Sequence, residues 1–553
     1  MRAKTWHGYG AVCVTLMLLG VGGMPWGAAE EGGGGLNDGT TLYVGGEGPG
    51  NYSSIREALD AAAEGDTVFV HGGTYYENIV IETSVHLLGE DKQITVIDGG
   101  LNGDTVTIVA DGVTLSGFTI RNGGGEEEDS GIKIHSHGNR ITENIIRENG
   151  NQRYCYAQGG IYLHQASRNE ISCNDIRENR ETGIYLYRSD DNFIYNNSIH
   201  HNSVMALVSN ASSRNVFAGN DIYENYCGMS LWPHSTHNAI VGNHIHDHPG
   251  CGLALKMHSN HNLIRYNRLS SNLEWGVMLG FGPILYNRVE FNTIEGSTGG
   301  EMSWFNGSGI VLSIAFFNTV QNNNLAGNNN DVYLENSLFN VWSQNYWESH
   351  AGRGIKVIRG HFCQPYTYHP TLTVPWLTAD WRPSPNPHHL SSTRVAVMDT
   401  SLGRMVLELD GDRMPVTTSN FLRLAAHGFF DGLVFHRVIE DFVIQGGGYY
   451  PDGSRKNSPY GPIELETHPD VQHVDGAISM ARTSDPHSAT SQFFICDGAQ
   501  HRLDGEYAAF GRVIFGLDTL RAIAAVDTTT KHGLQDWPVE EVLITRVAVV
   551  PTC

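Results

Sequence analysis

The sequence predicts a mostly β protein in which a right-handed parallel β-helix is followed by a second β domain without repeats. Three observations predict this fold class: an asparagine motif at nearly fixed spacing, short alternating apolar runs in each repeat, and a proline-rich segment after which the repeat stops. A fixed period of this kind is typical of a solenoid, because each coil buries its apolar side only by stacking on its neighbours.

The repeated motif is an asparagine, four residues and a second asparagine, with an apolar residue two positions further on. From Asn169 the steps are 23, 23, 23, 24, 25, 31 and 22 residues. Strands stacked in register lie roughly 4.8 Å apart, so amide side chains at one corner can bond from coil to coil. We therefore predict asparagine ladders through these pairs: Asn139/Asn144, Asn169/Asn174, Asn192/Asn197, Asn215/Asn220, Asn238/Asn243, Asn262/Asn267, Asn287/Asn292, Asn318/Asn323 and Asn340/Asn345.

Each repeat also contains a short apolar run that begins with glycine, for example at 160–163, 183–186 and 252–255. Alternation of this kind predicts strands, and a coil of this length has no room for a pair of helices. A disordered asparagine-rich tract is the alternative, but it would lack the regularly placed Ile and Leu residues.

The first 29 residues have the pattern of a secretory signal peptide. Arg2 and Lys4 precede an apolar stretch at 11–24, and small residues at 27–29 offer a cleavage site before Glu30. We therefore expect an exported protein that is periplasmic, displayed on the cell surface or secreted. No later stretch approaches the ~20 apolar residues of a membrane span, so no such span is expected.

Charge and linkers complete the domain organisation. Acidic residues exceed basic ones by 24, which argues against a nucleic-acid partner. We predict a signal peptide at 1–29, a glycine-rich linker at 30–40, the β-helix at 41–380, a proline-rich linker at 381–392 and the second domain at 393–553. Because the second linker carries few groups able to pack, we expect the two domains to fold independently.

Two cysteines lie at equivalent positions of adjacent repeats. Aligning Gly228 with Gly252 places Cys227 above Cys251, at a spacing that a disulfide tolerates. The sequence leaves two interpretations open, a disulfide bond and a pair of stacked buried thiols.

A capped amphipathic helix at 53–62 precedes the repeats and is followed by a strand at 67–70. We expect the helix to shield the open end of the first coil. This opening resembles the pectin-lyase-like β-helix superfamily, and the repeats together with the segment 340–347 resemble NosD-type exported β-helix proteins. The resemblance covers roughly residues 40 to 385 and implies the fold far more than an activity.

Outward positions of the coils suggest a glycan-binding face, because exposed rings on a flat sheet can stack on sugars. The alternative is that outward β positions favour aromatic residues in any case. The candidate glycan residues are Tyr162, His164, Tyr185, Tyr187 and Trp232.

Catalysis and metal binding by the β-helix are further hypotheses. Polysaccharide lyases and hydrolases need clustered carboxylates, for which the segment 126–129 and the pair Asp190 and Asp191 are candidates. His244, His246 and His248 alternate along one strand and suggest a metal-binding face. We nevertheless expect no metal site and no cofactor.

The second domain begins with two strands, a helix and a long motif at 435–447, followed by the shorter motifs 480–482, 491–495 and 503–505. Together these motifs resemble the cyclophilins, which are peptidyl-prolyl cis-trans isomerases built on a closed eight-stranded β-barrel with capping helices. The segment 480–490 resembles the prokaryotic branch of that family. Two positions depart from the family, since Arg502 replaces a frequent Trp and Tyr507 a frequent His.

The resemblance implies the roles of the site residues. Arg437 is the donor to the prolyl nitrogen, and Gln445 and Phe442 complete the catalytic set. It further implies that the residues that bind the proline-containing peptide are Val443, Ala481, Arg482, Gln492, Phe494, Leu503 and Tyr507.

The sequence therefore predicts an exported prolyl isomerase that assists protein folding. It is tethered to a β-helix that serves as a binding or display domain. The expected partners are proline-containing polypeptides, with a polysaccharide or cell-surface glycan as a further candidate on the β-helix. One alternative is a glycan-binding or adhesion protein with a non-catalytic cyclophilin-like docking module. Another is a polysaccharide lyase or hydrolase with an accessory isomerase.

Overall fold

The computed structural model describes residues 39–124, 128–150, 159–299, 305–350, 354–363, 373–390 and 393–550. The predicted signal peptide, most of the glycine-rich linker and part of the acidic segment 126–129 lie outside the described residues. The predicted fold class is confirmed: a parallel β-solenoid precedes a curled antiparallel β domain.

Short strands build the solenoid, with one helix near its beginning. In chain order they are β1 (Thr41–Val44), α1 (Ile55–Ala61), β2 (Thr67–Val70), β3 (Gly73–Tyr75), β4 (Ile79–Ile81), β5 (His86–Gly89), β6 (Thr95–Asp98), β7 (Val106–Ile108), β8 (Thr114–Ser116), β9 (Thr119–Arg121), β10 (Ser130–Ile134), β11 (Arg140–Thr142), β12 (Ile145–Arg147), β13 (Gly159–His164), β14 (Glu170–Ser172), β15 (Asp175–Arg177), β16 (Thr182–Tyr187), β17 (Phe193–Tyr195), β18 (Ser198–His200), β19 (Met205–Asn210), β20 (Val216–Ala218), β21 (Asp221–Tyr223), β22 (Cys227–Leu231), β23 (Ala239–Val241), β24 (His244–His246), β25 (Cys251–Lys256), β26 (Leu263–Arg265), β27 (Arg268–Ser270), β28 (Trp275–Gly280), β29 (Ile284–Leu285), β30 (Arg288–Glu290), β31 (Thr293–Glu295), β32 (Ser308–Ser313), β33 (Ala315–Phe316), β34 (Thr319–Gln321), β35 (Asn324–Ala326), β36 (Asn330–Glu335), β37 (Val341–Ser343), β38 (Tyr346–Trp347), β39 (Lys356–Phe362) and β40 (Val374–Asp380).

These strands form three long sheets, of 13, 13 and 12 strands, in which each strand pairs with its counterpart in the next coil. One face of each strand points inward, and stacked Ile, Leu and Val side chains fill the interior. Ile161, for example, pairs with Ile184, which in turn pairs with Leu207. The solenoid core is therefore a set of apolar columns that run along its axis.

The predicted asparagine ladders are present at the corners between the sheets. Asn174 shows the pattern: its Oδ1 accepts from the backbone N–H of Asn144 at 3.0 Å and from that residue's amide at 3.2 Å. Its own Nδ2 donates to Asn197 Oδ1 at 3.0 Å and to the Ile141 carbonyl at 2.8 Å. Each buried amide thus joins two neighbouring coils, which satisfies backbone groups that a corner would otherwise leave unpaired.

A third ladder runs through Asn149, Asn179, Asn202 and Asn225, and His248 occupies its next position. The backbone N–H of Asn225 donates to Nδ1 of His248 at 3.2 Å. His248 is fully buried, so the expectation that it shares an outward face with His244 and His246 is wrong.

Both ends of the solenoid are covered. Ser54 caps α1 by accepting from the backbone N–H of Glu57 at 3.2 Å, and α1 buries Ile55 and Leu59 against the first coils. At the other end β40 runs antiparallel to β39. The buried carboxylate of Asp380, the last residue of β40, accepts from both the backbone and the amide of Asn345 and so ends one ladder.

Cys227 and Cys251 are buried free thiols. The backbone N–H of Cys251 donates to Sγ of Cys227 at 3.2 Å. Of the two interpretations that the sequence left open, the structure has the stacked thiols.

The second domain contains one curled antiparallel sheet of nine strands and a two-stranded ribbon, with two helices. Its elements are β41 (Thr393–Thr400), β42 (Gly403–Asp410), α2 (Pro415–Ala426), β43 (Leu433–Val434), β44 (Arg437–Ile439), β45 (Val443–Gly446), β46 (Ala477–Met480), β47 (Phe493–Cys496), a 3₁₀ turn (His501–Leu503), β48 (Ala509–Phe515), α3 (Leu517–Ala524), β49 (Thr528–Lys531), β50 (Leu534–Pro538) and β51 (Leu543–Val550). The strand order is β43-β51-β41-β42-β48-β46-β47-β45-β44.

The second domain packs against the solenoid through a shared apolar cluster, and independent folding of the two domains stays a prediction. Outward side chains of β17, β20, β23 and Tyr266 meet side chains of β41, β42 and β51. The cluster contains Phe193, Tyr195, Val216, Ala218, Ala239, Val241, Tyr266, Val395, Val397, Val406, Ala548 and Val550. The linker sequence could not show this contact, because the contacting strands lie outside the linker.

A cluster of buried charged residues lies beside the apolar contact between the two domains. Nη1 of Arg265 lies 2.6 Å from Glu290, and Nη2 lies 2.8 Å from Glu408 of the second domain. The Tyr266 hydroxyl also donates to Glu408. Burial would raise the pKa of the Glu408 carboxyl, but Arg265 and Arg512 outweigh burial and hold that pKa below its usual value.

Candidate active site

Three adjacent strands of the second domain bring Arg437 and Gln445, two predicted catalytic residues, together with Phe494, which was predicted to bind the peptide. Arg437 on β44 is the register partner of Gln445 on β45, and Gln445 is the partner of Phe494 on β47. Side chains at directly opposed positions of neighbouring strands share one face of the sheet. The three residues therefore form one row across the sheet.

An apolar cluster of side chains, which we call the groove, lies beside this row. Val443 and Phe494 are buried, and the partly exposed side chains of Phe442, Leu503 and Tyr507 pack against them. Ala481 belongs to the same cluster, and the Phe494 and Tyr507 rings meet edge to face with centroids 5.7 Å apart. The six predicted apolar site residues thus form one contiguous surface.

Two guanidinium groups flank Phe442. Arg437 lies 5.8 Å and Arg502 lies 4.4 Å from the centre of its ring. Nε of Arg437 is 3.7 Å from Asp536, and both side chains remain more than a third exposed. An exposed ion pair of this length is weak, so a bound peptide can compete for the Arg437 guanidinium.

The polar residues of the site are held by their neighbours. Nε2 of Gln445 donates to Oε1 of Gln492 at 3.0 Å. The Arg482 guanidinium lies 4.5 Å from the Tyr507 ring and donates to the Glu506 carbonyl at 3.1 Å. These contacts fix the side chains that line the groove without closing it.

A buried histidine supports the floor of the groove, and sequence reasoning missed it. The His473 ring stacks under Phe494 with centroids 5.9 Å apart. Its Nδ1 lies 2.9 Å from Asp504 and its Nε2 lies 3.0 Å from the Ser479 hydroxyl. Burial lowers the pKa of His473, so at neutral pH Nδ1–H donates to Asp504 while Nε2 accepts from Ser479. The sequence signal that could have identified His473 is its position four residues before Ala477, the first residue of β46.

His436 precedes Arg437 and is also buried. Its ring packs against Tyr449 with centroids 4.6 Å apart and against Trp537 at 6.3 Å. Burial lowers the pKa of His436 to about 4, which keeps the imidazole neutral over the physiological range.

Comparison with known proteins identifies this domain. The model of the family described as cyclophilin type peptidyl-prolyl cis-trans isomerase/CLD matches residues 395–549. Peptidyl-prolyl cis-trans isomerase cyp18 of Streptomyces antibioticus is 44% identical over 161 residues, which are 28% of this chain and 96% of that protein. The chain belongs to the cyclophilin family. The second domain is therefore a cyclophilin-type peptidyl-prolyl cis-trans isomerase, as the motifs implied.

Other similar proteins match the same part of the chain. Peptidyl-prolyl cis-trans isomerase B of Escherichia coli strain K12 is 38% identical over 158 residues, covering 27% of this chain and 96% of that protein. A crystal structure of a cyclophilin type isomerase of Cryptosporidium parvum has 27% identity and a TM-score of 0.25, and the match covers 28% of this chain and 97% of that one.

The solenoid matches a second family model, described as periplasmic copper-binding protein (NosD), over residues 59–249. That description names a metal, so the donor groups in this range are relevant. Asp221, His244 and His246 form one of two groups in the described part of the chain whose ligand atoms lie within 4.8 Å of one another. Two imidazoles and a carboxylate are donors that suit Cu²⁺ and Zn²⁺. The other group is Glu335, His361 and Cys363.

The predicted glycan face is not an exposed aromatic platform. Tyr162 and Tyr185 are register partners as expected, but only 3% and 7% of their surfaces are exposed. Both rings belong to an apolar cluster on the outside of the sheet, which continues along the same column through Val208 and Met278. The expectation that both tyrosine rings are available for stacking on a sugar is therefore wrong.

The other residues of that predicted face are partly exposed. His164 and Tyr187 are register partners whose rings meet edge to face with centroids 5.5 Å apart. The Trp232 indole donates to Ser230 at 2.6 Å, and the Lys256 ammonium group lies 5.6 Å from its ring. Each of these contacts occupies one face or one edge of a ring, and a role in glycan binding stays a prediction.

An arginine pairs with Asp190 and Asp191, one of the two sets of carboxylates considered for polysaccharide cleavage. Arg214 lies 2.8 Å from Asp191 and 3.4 Å from Asp190. Paired in this way, they lack the separate acid and base environments that glycoside cleavage needs.

Among the described residues, no helix has both the length and the apolar character needed to cross a membrane.

Proposed function

We propose that this protein is an exported prolyl isomerase in which the β-helix carries the cyclophilin domain as a fixed part of its surface. The observation that carries the proposal is the row Arg437, Gln445 and Phe494 beside the apolar groove. Rotation about a peptide bond faces a barrier of ~18 to 20 kcal/mol, because amide resonance is lost in the twisted state. No covalent bond breaks, so side chains that favour the twisted state are sufficient for catalysis.

Each site residue has a role in this proposal. The groove formed by Phe442, Val443, Phe494, Leu503 and Tyr507 grips the proline ring, with Ala481 at its edge. Gln445, fixed by Gln492, and the backbone near Arg482 hold the peptide. The Arg437 guanidinium donates to the prolyl nitrogen, whose lone pair becomes available only in the twisted state. A guanidinium suits this role because it stays charged and presents rigid N–H groups.

The position of the groove supports catalysis by the tethered domain. The groove uses β44, β45 and β47, whereas the contact with the solenoid uses β41, β42 and β51. In the sheet β48 and β46 lie between these two sets of strands, and Ile514 and Phe515 of β48 also pack on the solenoid side while Ala477 of β46 packs on the groove side. A peptide can therefore reach the groove while the domain remains packed on the solenoid.

A protease-coupled assay with a prolyl peptide on the full chain tests the proposal. Arg437→Ala should lose roughly 2 to 4 kcal/mol of transition-state stabilisation if Arg437 acts like other preorganised donors. Arg437→Lys should recover little of that loss. Arg413→Ala is the matched control, because Arg413 pairs with Asp410 outside the groove and is about half exposed.

Wild-type turnover by folded Arg437→Ala would remove Arg437 from the mechanism. An inactive wild-type protein that still binds prolyl peptides would instead favour the non-catalytic docking module.

Export is the second part of the proposal. The match to a family described as periplasmic and the residues 1–29 support it. N-terminal sequencing of the protein recovered from outside the cytoplasm should begin at Glu30, and Leu18→Arg should retain the protein inside the cell. Export of the Leu18→Arg variant at the wild-type level would contradict a signal in residues 1–29.

A further inference from the structure

The outer face of one solenoid sheet carries a cluster of polar residues that the isomerase groove does not use. Asp221 begins β21, and its register partner on β24 is His244. His246 lies two residues further along β24, so its side chain leaves the same face of the sheet. Ile222 and Ile245, the intervening residues, are fully buried in the core. The alternation of the strands thus fixes all three polar side chains on one surface.

The distances within this cluster match those between the ligands of a metal ion. Nδ1 of His244 and Nε2 of His246 approach the same oxygen of Asp221, at 3.3 Å and 3.1 Å. Two ligand atoms bonded at about 2.0 to 2.1 Å to a tetrahedral ion lie about 3.3 to 3.4 Å apart. The His244 and His246 rings stack with centroids 3.9 Å apart and planes 22° apart, so the rings must turn about χ2 to aim both lone pairs at one ion.

The other nitrogen of each ring is held by a second residue. Nδ1 of His246 lies 2.7 Å from Asp247, and Nε2 of His244 lies 3.4 Å from the Ser270 hydroxyl. Histidines that bind metals commonly donate their second N–H to a carboxylate or similar acceptor, which fixes the tautomer. The two nitrogens beside Asp221 then carry lone pairs that can bind an ion.

We propose that Asp221, His244 and His246 bind one divalent first-row transition ion, with the remaining coordination position open to solvent. Imidazole nitrogens suit Zn²⁺, Ni²⁺ and Cu²⁺, whereas Mg²⁺ and Ca²⁺ require oxygen ligands. The side chains of Asp221, His244 and His246 are 50%, 27% and 19% exposed, so an ion can enter and leave. Three protein ligands with an open position are typical of exchangeable rather than structural sites.

Histidines elsewhere on the solenoid provide a control. His237 and His261 stack nearly parallel with ring centroids 4.9 Å apart, and Tyr286 continues the stack. Neither ring belongs to a group of three metal-donor side chains whose ligand atoms lie within 4.8 Å of one another in the described part of the chain. His261→Ala therefore removes an imidazole from the same solenoid without altering the proposed site.

Calorimetric titration of the full chain with Zn²⁺ tests the proposal, with Co²⁺ absorption as a second readout of coordination. Asp221→Ala and His246→Ala should each weaken Zn²⁺ binding strongly, whereas His261→Ala should leave it unchanged. Asp247→Asn should weaken binding about 10- to 100-fold, the usual effect of removing the partner of a metal-binding histidine. Cu²⁺ is the poorer probe, because most nitrogen and oxygen sites bind it more tightly than other divalent ions.

Thermal unfolding and prolyl isomerase activity of each variant, measured in parallel, establish that the variants are folded. The ligands lie on the solenoid surface, so we expect both properties to match the wild type. The proposal is overturned if the wild type shows no saturable Zn²⁺ binding. It is equally overturned if Asp221→Ala and His246→Ala bind Zn²⁺ as tightly as the wild type, or if Mg²⁺ competes at equal concentration.

Discussion

Arg502 changes the character of the groove wall beside Phe442. The position is a frequent Trp in the family that the motifs resemble, and here a guanidinium lies 4.4 Å from the Phe442 ring. The planar, charged guanidinium of Arg502 packs on the Phe442 ring. An aromatic side chain at position 502 would instead stack on that ring. Arg437 and Arg482 lie near the same groove, but each is paired with a carboxylate, Asp536 at 3.7 Å and Glu506 at 3.6 Å.

His436 gives the isomerase domain a predictable pH dependence. The pKa of its buried ring is about 4 in the folded protein, against about 6.5 in an unfolded chain. A depressed pKa means that the unfolded state binds the proton more readily. The stabilising contribution is therefore fully present above about pH 6.5 and is lost as the pH falls toward about 4.

Denaturant unfolding at pH 7.5 and pH 4.5 measures this contribution. The wild type should lose about 2 to 3 kcal/mol more than His436→Gln, whose side chain does not titrate. Equal losses in the two proteins would show that other groups dominate the acid response of the domain.

At the scale of single elements, the repeat predicted the features that recur from coil to coil and missed the features that occur in only some coils. The spacing of the asparagine pairs predicted the ladders and the inward columns, because both follow from stacking identical coils. The same spacing, continued from Asn225 by 23 residues, reaches His248 and could have placed it in the third ladder. Alternation alone separates inward from outward positions. It does not show which outward positions become covered, as Tyr162 and Tyr185 are.

The ladder prediction concerns Asn174, which is 2% exposed and bonds to the coils on both sides. Asn174→Ala leaves the backbone N–H of Asn144 without its acceptor, and it removes the donor to the Ile141 carbonyl and to Asn197 Oδ1. Unsatisfied buried groups cost about 1 to 3 kcal/mol each, so we expect a loss of at least about 2 kcal/mol in unfolding free energy. Denaturant melts of the full chain measure it.

Asn102→Ala is the matched control, because Asn102 is exposed in a turn of the same solenoid. It should change the unfolding free energy by less than about 0.5 kcal/mol. If both variants unfold like the wild type, the ladder does not contribute to stability as argued here.

The residues proposed for the isomerase site were predicted for a different reason. Composition and periodicity do not identify it, but the motifs around Arg437, Gln445, Phe494 and Leu503 resemble a family closely enough to name the residues. The structure then places those residues along one groove. The support from His473 was not named, because its role depends on Ser479 and Asp504, which the fold brings to opposite sides of one ring.

At the scale of the whole molecule, the contact between solenoid and isomerase depends on pairs more than 100 residues apart in sequence. Arg265 and Glu408 form such a pair, and no linker property predicts it. The Arg265 side chain is 2% exposed, so the charge is compensated by Glu290 and Glu408 rather than by water. Removing one member of a buried ion pair is costly, because the partners remain buried without it.

Arg265→Ala in the full chain should therefore lose about 3 to 5 kcal/mol of stability, measured by denaturant unfolding. Arg268→Ala, which removes a half-exposed arginine paired with Glu295 on the same solenoid, should lose less than about 1 kcal/mol. Arg265→Met combined with Glu408→Leu should recover much of the loss, because well-packed apolar residues can replace a buried ion pair. Equal effects of the two single variants would contradict the buried role of Arg265.

The last prediction concerns the isomerase domain without its solenoid. In the intact protein Val395, Val397, Val406, Ala548 and Val550 are at most 5% exposed, because the solenoid covers them. A fragment of residues 390–553 exposes this face, and contiguous apolar patches promote self-association. We expect the fragment to retain prolyl isomerase activity, since the groove strands lie apart from this face, but to form dimers or larger species in sedimentation experiments.

Replacing Val397 and Val406 by Thr in the fragment keeps β-branched side chains on the strands and makes the exposed face more polar. The replaced fragment should be predominantly monomeric with unchanged activity per domain. In the full chain the same pair of replacements should instead destabilise the protein, because the hydroxyl groups would be buried against the solenoid without partners. A monomeric wild-type fragment, together with a full chain that tolerates the replacements, would show that the two domains do not depend on this contact.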